Sequence, residues 1–361
     1  MAYAHLHTSP AGPGDTRPTA LQIIHDQDLA HRLADKVILI TGCSSGLGAE
    51  TARALAVTDA TLFLAVRNMQ KARAELADLL LPSPDVDSDD NQHSKRSRVR
   101  LLKLDLSSFA SIRAGASNFL AQSKKLHILI CNGGVMGTDP ITDRTADGFE
   151  KQFGTNHLGH FLLFVLLKDM MLSSVSEGFQ CRVVSVTSSA HRMSGIRWED
   201  INFTNTKPDS TEGERKDSSG DGKLAALAYA QSKTANIYMM NEIERRYGPR
   251  GLHGLSVHPG EIFTGLQKFV SQELLDEWHK PEMIRFVKSV EQGAATTVLA
   301  AVGRQWEGKG GVYLEDCQEG KPVEPGYQKG DPGYAEHAFD SGNERRLWDE
   351  SLLMTGILNS D

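Results

Sequence analysis

Residues 36–40, Lys-Val-Ile-Leu-Ile, form a short apolar, β-branched run that leads into Thr41-Gly42-Cys43-Ser44-Ser45-Gly46-Leu47-Gly48, and residues 49–56 continue with a helical pattern. A strand, a glycine turn and a helix in immediate succession is the context that a dinucleotide fingerprint requires. Glycines let the backbone turn tightly and approach a pyrophosphate, while the N-terminus of the helix offers free N–H groups to the anion. A tight strand-to-helix turn that binds nothing has the same outline, so the chemistry has to be sought further along the chain. A second apolar run, residues 60–66, ends at Arg67. Dinucleotide folds place an acidic residue at the end of this strand to hold the ribose 2′-hydroxyl. Here Val66 occupies that place, Arg67 follows it, and Lys71 lies one turn into the next helix. No carboxylate is present to repel a 2′-phosphate, and a guanidinium is available to pair with it. The pattern therefore favours NADP(H) over NAD(H).

Ala228-Tyr229-Ala230-Gln231-Ser232-Lys233 carries the second informative spacing. Tyr229 and Lys233 are four positions apart, which places them one helical turn apart on one face. A free phenol titrates near pH 10, so only about 0.1% is ionised at pH 7. A neighbouring ammonium favours the phenolate and is expected to lower that value. Such a pair moves a proton on or off an alcohol oxygen near neutral pH. Alone, this spacing also occurs in ordinary surface helices.

Taken together, these motifs make the chain resemble the short-chain dehydrogenase/reductase family in its TGxxxGxG and YxxxK form, closest to the retinol-dehydrogenase-like and WW-domain-oxidoreductase-like branch. No WW domain is visible. The resemblance runs from about Asp35 to Trp348. It implies a Rossmann-type, doubly wound α/β fold with a parallel sheet in a single domain. It also implies a catalytic set of Asn156 (in Gly-Thr-Asn-His-Leu-Gly), Ser188, Tyr229 and Lys233. Cofactor contacts are implied for Gly42, Ser44, Ser45, Gly46, Leu47, Gly48, Arg67, Lys71, Asp105 of a DLS-like element, Asn132, Tyr229 and Lys233. The loop His258-Pro259-Gly260-Glu261-Ile262-Phe263-Thr264 resembles the PGxxxT element along the nicotinamide, adding Pro259, Gly260, Ile262 and Thr264. The NNAG-like strand end departs from its pattern: Cys131 replaces the first Asn and Gly133 replaces Ala. Both residues are small, so a changed hydrogen-bond pattern is expected rather than loss of the fold. Read singly, Asn156 is equally an ordinary helix polar group and Ser188 a strand-end cap. Ser189 and Thr187 are neighbours easily mistaken for Ser188. His157 and His191 are not needed by the pattern, and His258, before a proline, reads as structural.

At 361 residues and 40% apolar, the chain is long enough for one large core. A formal charge of −7 argues against a nucleic-acid footprint. The four cysteines are widely spaced, show no metal pattern and read as reduced thiols. No apolar run approaches the roughly 18 to 20 residues that span a bilayer, and residues 1–20 lack the apolar centre of a secretory signal. These observations predict a cytoplasmic protein without an integral membrane segment or bound metal. Residues 1–34 read as a flexible N-terminal tail, 35–350 as the domain and 351–361 as a C-terminal tail. Polar insertions stand at 82–98 and 205–222, and an apolar flap at about 264–290. The flap includes Leu266, Phe269, Val270, Leu274, Leu275 and Trp278, which suggests a hydrophobic small-molecule substrate.

The expected reaction interconverts a ketone or aldehyde and an alcohol with NADP(H). The insertions and the long N-terminal stretch resemble those of secondary-metabolism reductases, and the family resemblance implies a homodimer or homotetramer. Two other readings compete: a non-catalytic NADP(H)-binding regulator, and an epimerase or dehydratase on the same fold.

Overall fold

The computed structural model describes residues 3–80, 98–205, 219–328 and 330–357. Most of the 82–98 insertion, and residues 206–218 of the second, lie outside these residues; residues 219–222 belong to a helix. Eight strands form one sheet: β1 (Val37–Thr41), β2 (Thr61–Val66), β3 (Val99–Lys103), β4 (Ile128–Cys131), β5 (Cys181–Val186), β6 (Leu252–Val257), β7 (Val312–Glu315) and β8 (Gln318–Glu319). Their order is β3-β2-β1-β4-β5-β6-β7-β8, and every pair is parallel except the last. The order reverses between β1 and β4, the switch point where doubly wound sheets open a crevice at the carboxyl ends of their strands.

Nine helices serve the argument: α1 (Ala20–Asp26), α2 (Gly46–Ala56), α3 (Met69–Glu75), α4 (Phe109–Gln122), α5 (Gly159–Ser174), α6 (Ser219–Tyr247), α7 (Gln272–Trp278), α8 (Ala295–Val302) and α9 (Ser341–Met354). Strand alternation divides the core. Ile38, Ile40, Ile128, Ile130, Val184 and Leu255 face α1, α2 and α8. Leu39, Phe63, Leu129 and Val183 face α4, α5, α6 and Trp348 of α9. With both faces covered, the central strands are buried along nearly their whole length and read as continuous apolar runs. No helix of the described residues is long and apolar enough to cross a membrane.

Both expected tails need correction. Residues 3–34 pack onto the domain: Ile23 and Ile24 of α1 are fully buried in the core cluster that contains α8. Ahead of α1, Arg17 is buried. Its guanidinium donates to Asp15 Oδ1 (2.8 Å), Gly12 O (3.0 Å), Phe286 O (2.9 Å) and Val287 O (2.7 Å). Gln292 answers from the other side, donating to Asp15 O and Arg17 O, each at 3.0 Å. These long-range bonds tie the N-terminal arm to the end of the flap. Burial of a Pro/Gly-rich segment is possible here because its backbone and one arginine find polar partners 270 residues away. Replacing Arg17 with Ala takes the cation from Asp15 and the guanidinium donor from Phe286 O and Val287 O, and we expect a loss of about 2–4 kcal/mol, measured by urea denaturation. At the other end, α9 continues to Met354, Ser351 is fully buried, and Ile357 packs against the core, so 351–357 belong to the domain.

Candidate active site

The glycine turn forms a close backbone crossing. Gly42 has φ +73°, and a Cβ there would lie 2.5 Å from Gly133 Cα. A Cβ on Gly48 would lie 2.4 Å from Gly42 O and 2.5 Å from Asn132 Nδ2. The first turn of α2, the strand and the β4 end are therefore in contact at distances only glycine permits. Ser45, at the N-cap of α2, makes no side-chain cap, whereas Asn68 caps α3 and Ser108 caps α4. The first N–H groups of α2 thus remain free for an anion, as a pyrophosphate requires. Ser44 and Ser45 lead into Gly46 at the start of α2, and the side chain of Thr264 stands opposite, 3.4 Å from where a Cβ on Gly46 would be. Leu47 and Ile262 meet over Gly293, where a Cβ would be 2.8 and 2.7 Å from them.

Asn132 stands where the resemblance puts the brace. Its Nδ2 donates to Thr41 O (3.0 Å) and Gly42 O (3.3 Å), and its backbone N–H donates to Thr41 Oγ1 (3.0 Å). Cys131, which replaces the first Asn, is buried inside β4 and makes none of these contacts. Two residues that the sequence reading did not single out complete the network. Thr41 Oγ1 also accepts from Gly133 N and pairs with His160 Nε2 at 2.8 Å, while His160 Nδ1 donates to Asn156 O at 2.8 Å. Burial pushes His160 down to about 4, so it is neutral and its two nitrogens have fixed roles. Strand β1 is thereby wired to Asn156.

Asn156 lies in a π-turn, Gly154–Leu158, immediately before α5. Such turns are frequent at functional sites because they re-aim a side chain out of the helical ladder. Its Nδ2 donates to Val135 O and Ser232 Oγ, both 3.0 Å, and its Oδ1 accepts from Val135 N at 2.8 Å. Asn156 Oδ1 and Lys233 Nζ converge on Gly134, 3.1 and 3.8 Å from the position of a Cβ there. Lys233 is buried, donates to Val186 O (2.9 Å), and stands 5.4 Å from the Tyr229 ring centroid. Burial pushes its ammonium down to about 8. Ser188 follows β5 and caps the short turn Ser189–Met193, accepting from Ala190 N at 3.1 Å. It shares a hydrogen bond with Tyr229. All four expected catalytic residues are thus brought together at the carboxyl ends of β4 and β5.

One expectation reverses direction. The Tyr229 phenol lies above its usual range rather than below it: burial is the main cause, the Glu261 carboxylate adds to it, and the Ser188 hydrogen bond opposes it. Desolvation of a buried phenolate outweighs the ammonium beside it.

The neighbouring residues resolve as follows. Thr187 Oγ1 donates to Lys233 O at 2.7 Å and pins α6 to β5. His191 donates through Nδ1 to Ser188 O at 2.7 Å and accepts at Nε2 from Ala335 N at 3.2 Å. His258 Nδ1 accepts from Ser189 N at 3.3 Å. His157 bonds Ser351 Oγ at 2.8 Å, away from the site. Pro259 O accepts from Lys288 Nζ at 3.3 Å, and Lys288 pairs with Asp316 at 2.7 Å. Gly260 turns with φ +97°, where a Cβ would meet the Lys288 side chain at 2.8 Å. Thr264 starts a capping box with Gln267 at the flap entrance.

Beyond β2, Arg67 and Lys71 are exposed. A third cation, Lys103, pairs in register with Val66, and its ammonium donates to Arg67 O. Its position at the end of β3 was the available sequence signal. Asp105 directs one carboxylate oxygen onto Ser107 N (2.9 Å) and Ser107 Oγ (2.8 Å). The described residues contain no group of three or more His, Cys, Asp or Glu that could hold a metal ion.

Comparison with known proteins agrees with this geometry. Residues 36–200 match the family described as short chain dehydrogenase. The chain is 45% identical to the short-chain dehydrogenase/reductase prx1 of Penicillium roqueforti, over 98% of this chain and 95% of that protein. It is 34% identical to retinol dehydrogenase 12 of Mus musculus, over 90% and 88% of the two chains. The crystal structure of an uncharacterized protein from Mycobacterium paratuberculosis superposes with a TM-score of 0.61 at 29% identity, covering 94% of this chain and 98% of that one. With these matches added to the glycine crossing and the buried tyrosine–lysine pair, the chain belongs to the short-chain dehydrogenase/reductase family of oxidoreductases, on the branch that resembles retinol dehydrogenases and the WW-domain oxidoreductases.

Proposed function

We propose that the protein is an NADP(H)-dependent oxidoreductase that interconverts a ketone or aldehyde and an alcohol on a hydrophobic small molecule of secondary metabolism. The observation that supports this most is the meeting of Ser188, Tyr229, Lys233 and Asn156 beside the uncapped start of α2. Bound NADPH supplies the hydride. Tyr229 gives its proton to the substrate oxygen, and Ser188 donates a hydrogen bond to the same oxygen. Lys233 would hold the nicotinamide ribose, and Asn156, pinned on both sides by Val135, would position a water that passes protons to Lys233. The flap covers the mouth: Phe263 stacks on His279 with ring centroids 4.2 Å apart, and Phe269 crosses Gly137.

Preference for NADP(H) is supported by Arg67 and Lys103 at the ends of β2 and β3 and Lys71 in the first turn of α3, with Val66 in place of a carboxylate. Fluorescence titration of NADPH and NADH on wild type and Arg67→Ala tests it. Removing one charge-assisted phosphate contact is expected to weaken NADPH by about 10–100-fold and NADH by much less. Equal weakening of both cofactors sinks the assignment of Arg67. A wild type that binds neither cofactor sinks the oxidoreductase reading.

A further inference from the structure

We infer that Glu261 is a substrate-recognition carboxylate, and that the ketones taken by this site carry a hydroxyl or ammonium hydrogen-bond donor beside the carbonyl on an otherwise apolar frame. The inference rests on the carbonyl-reductase reading above and refines its substrate class. Glu261 directly follows Gly260, and its backbone is fixed: Glu261 O accepts from Lys288 N at 2.8 Å, in a parallel bridge with Val287. Its side chain is exposed, and Oε1 accepts from Ser189 Oγ at 3.4 Å, a long and weak bond. Ser189 adjoins Ser188, which is hydrogen-bonded to Tyr229. The carboxylate is therefore one residue away from the two hydroxyls that receive the substrate oxygen, and close enough for its charge to oppose ionisation of Tyr229.

That placement is costly for a plain ketone. Negative charge grows on the substrate oxygen as hydride arrives, and a carboxylate nearby disfavours it. The cations in the neighbourhood are engaged elsewhere. Lys288 is held by Asp316 and Pro259 O, Arg192 by Gly333 O and Asp331 O, and Lys233 by Val186 O. Among the described residues, no ion pair includes Glu261. The flap that follows it in the chain exposes the apolar side chains of Phe269 and Leu274. One acceptor in an apolar rim selects for orientation: it holds a ligand whose donor sits at the matching distance from the carbonyl and leaves others unpaired. A substrate ammonium would also offset the carboxylate's charge during hydride arrival, and a hydroxyl would disperse part of it, so the same contact serves binding and rate.

The test uses three ring-matched probes: decalone, its α-hydroxy derivative and its α-dimethylammonium derivative. Values of kcat/KM with NADPH are compared for wild type, Glu261→Gln and Glu261→Leu. Wild type is expected to prefer both donor ketones over decalone by about tenfold or more. Glu261→Leu should remove that preference and raise turnover of decalone. Glu261→Gln, whose amide oxygen still accepts, should keep much of the hydroxyl preference and lose the ammonium preference. The hydroxy and ammonium arms distinguish the two donors. No donor preference in the wild type, or a preference unchanged by Glu261→Leu, overturns the inference while leaving the reductase reading intact. A wild type that oxidises NADPH with none of the three ketones overturns both.

Discussion

Tyr229→Phe is expected to lower kcat by about 10²–10⁴-fold, the usual contribution of a positioned general acid, while NADPH affinity stays within about threefold. The substitution removes one oxygen from a side chain that is buried at the mouth of the crevice. Among the described residues, the hydrogen-bond partner it deserts is Ser188. Nothing that shapes the glycine crossing changes: Gly42, Gly48, Gly133 and Asn132 touch one another, not the phenol. Binding and chemistry should therefore separate cleanly. Steady-state NADPH oxidation with an accepted ketone gives the first quantity, and fluorescence titration gives the second. Loss of both together would mean that Tyr229 holds the site's shape rather than its proton. Retention of turnover would remove it from the reaction.

How much of this was legible before the fold was known follows from how local each determinant is. The glycine turn is encoded in eight consecutive residues, because a strand, a sharp turn and a helix start each leave their own pattern. The Tyr229–Lys233 spacing is local too, being one turn of α6. The effect of burial on those groups is not local. The ammonium beside Tyr229 suggested a depressed phenol, yet the surrounding fold removes the water that a phenolate needs. The N-terminal arm was misread for a related reason. Residues 10–18 show no periodicity, and their order comes from Arg17 reaching Phe286 and Val287, contacts that no window of sequence contains. Thr41 and His160 escaped notice similarly: each is unremarkable in its own element, and only the β1–β4 adjacency and the π-turn bring them onto Asn132 and Asn156. Lys103 was within reach, since it ends a strand that runs parallel beside β2, but that pairing had to be known.

Lys233→Met should abolish turnover and yet make the cofactor-free protein more stable by about 2 kcal/mol at about pH 7. Burial lowers this lysine from 10.5 to about 8. Below about 8 it is charged in both the folded and unfolded states, and the folded protein carries the full cost of a desolvated ammonium. Between about 8 and 10.5 the native lysine has released its proton while the unfolded chain still holds one. The unfolded state then binds more protons, so wild-type stability rises with pH across this window. Methionine carries no charge to bury and fills a similar volume. The one bond lost, to Val186 O, leaves that carbonyl with a second donor, Asn236 Nδ2 at 3.1 Å, so no buried acceptor is orphaned. Urea denaturation of both proteins at about pH 7 and about pH 9.5 checks the sign: the advantage of Lys233→Met should be largest at the lower pH and shrink at the higher. A variant less stable than wild type at about pH 7, or a gap that does not change with pH, would show that the ammonium is held by favourable partners rather than tolerated. The expected outcome, a more stable and inactive protein, is what results when a charge is kept in a dry site for its chemistry.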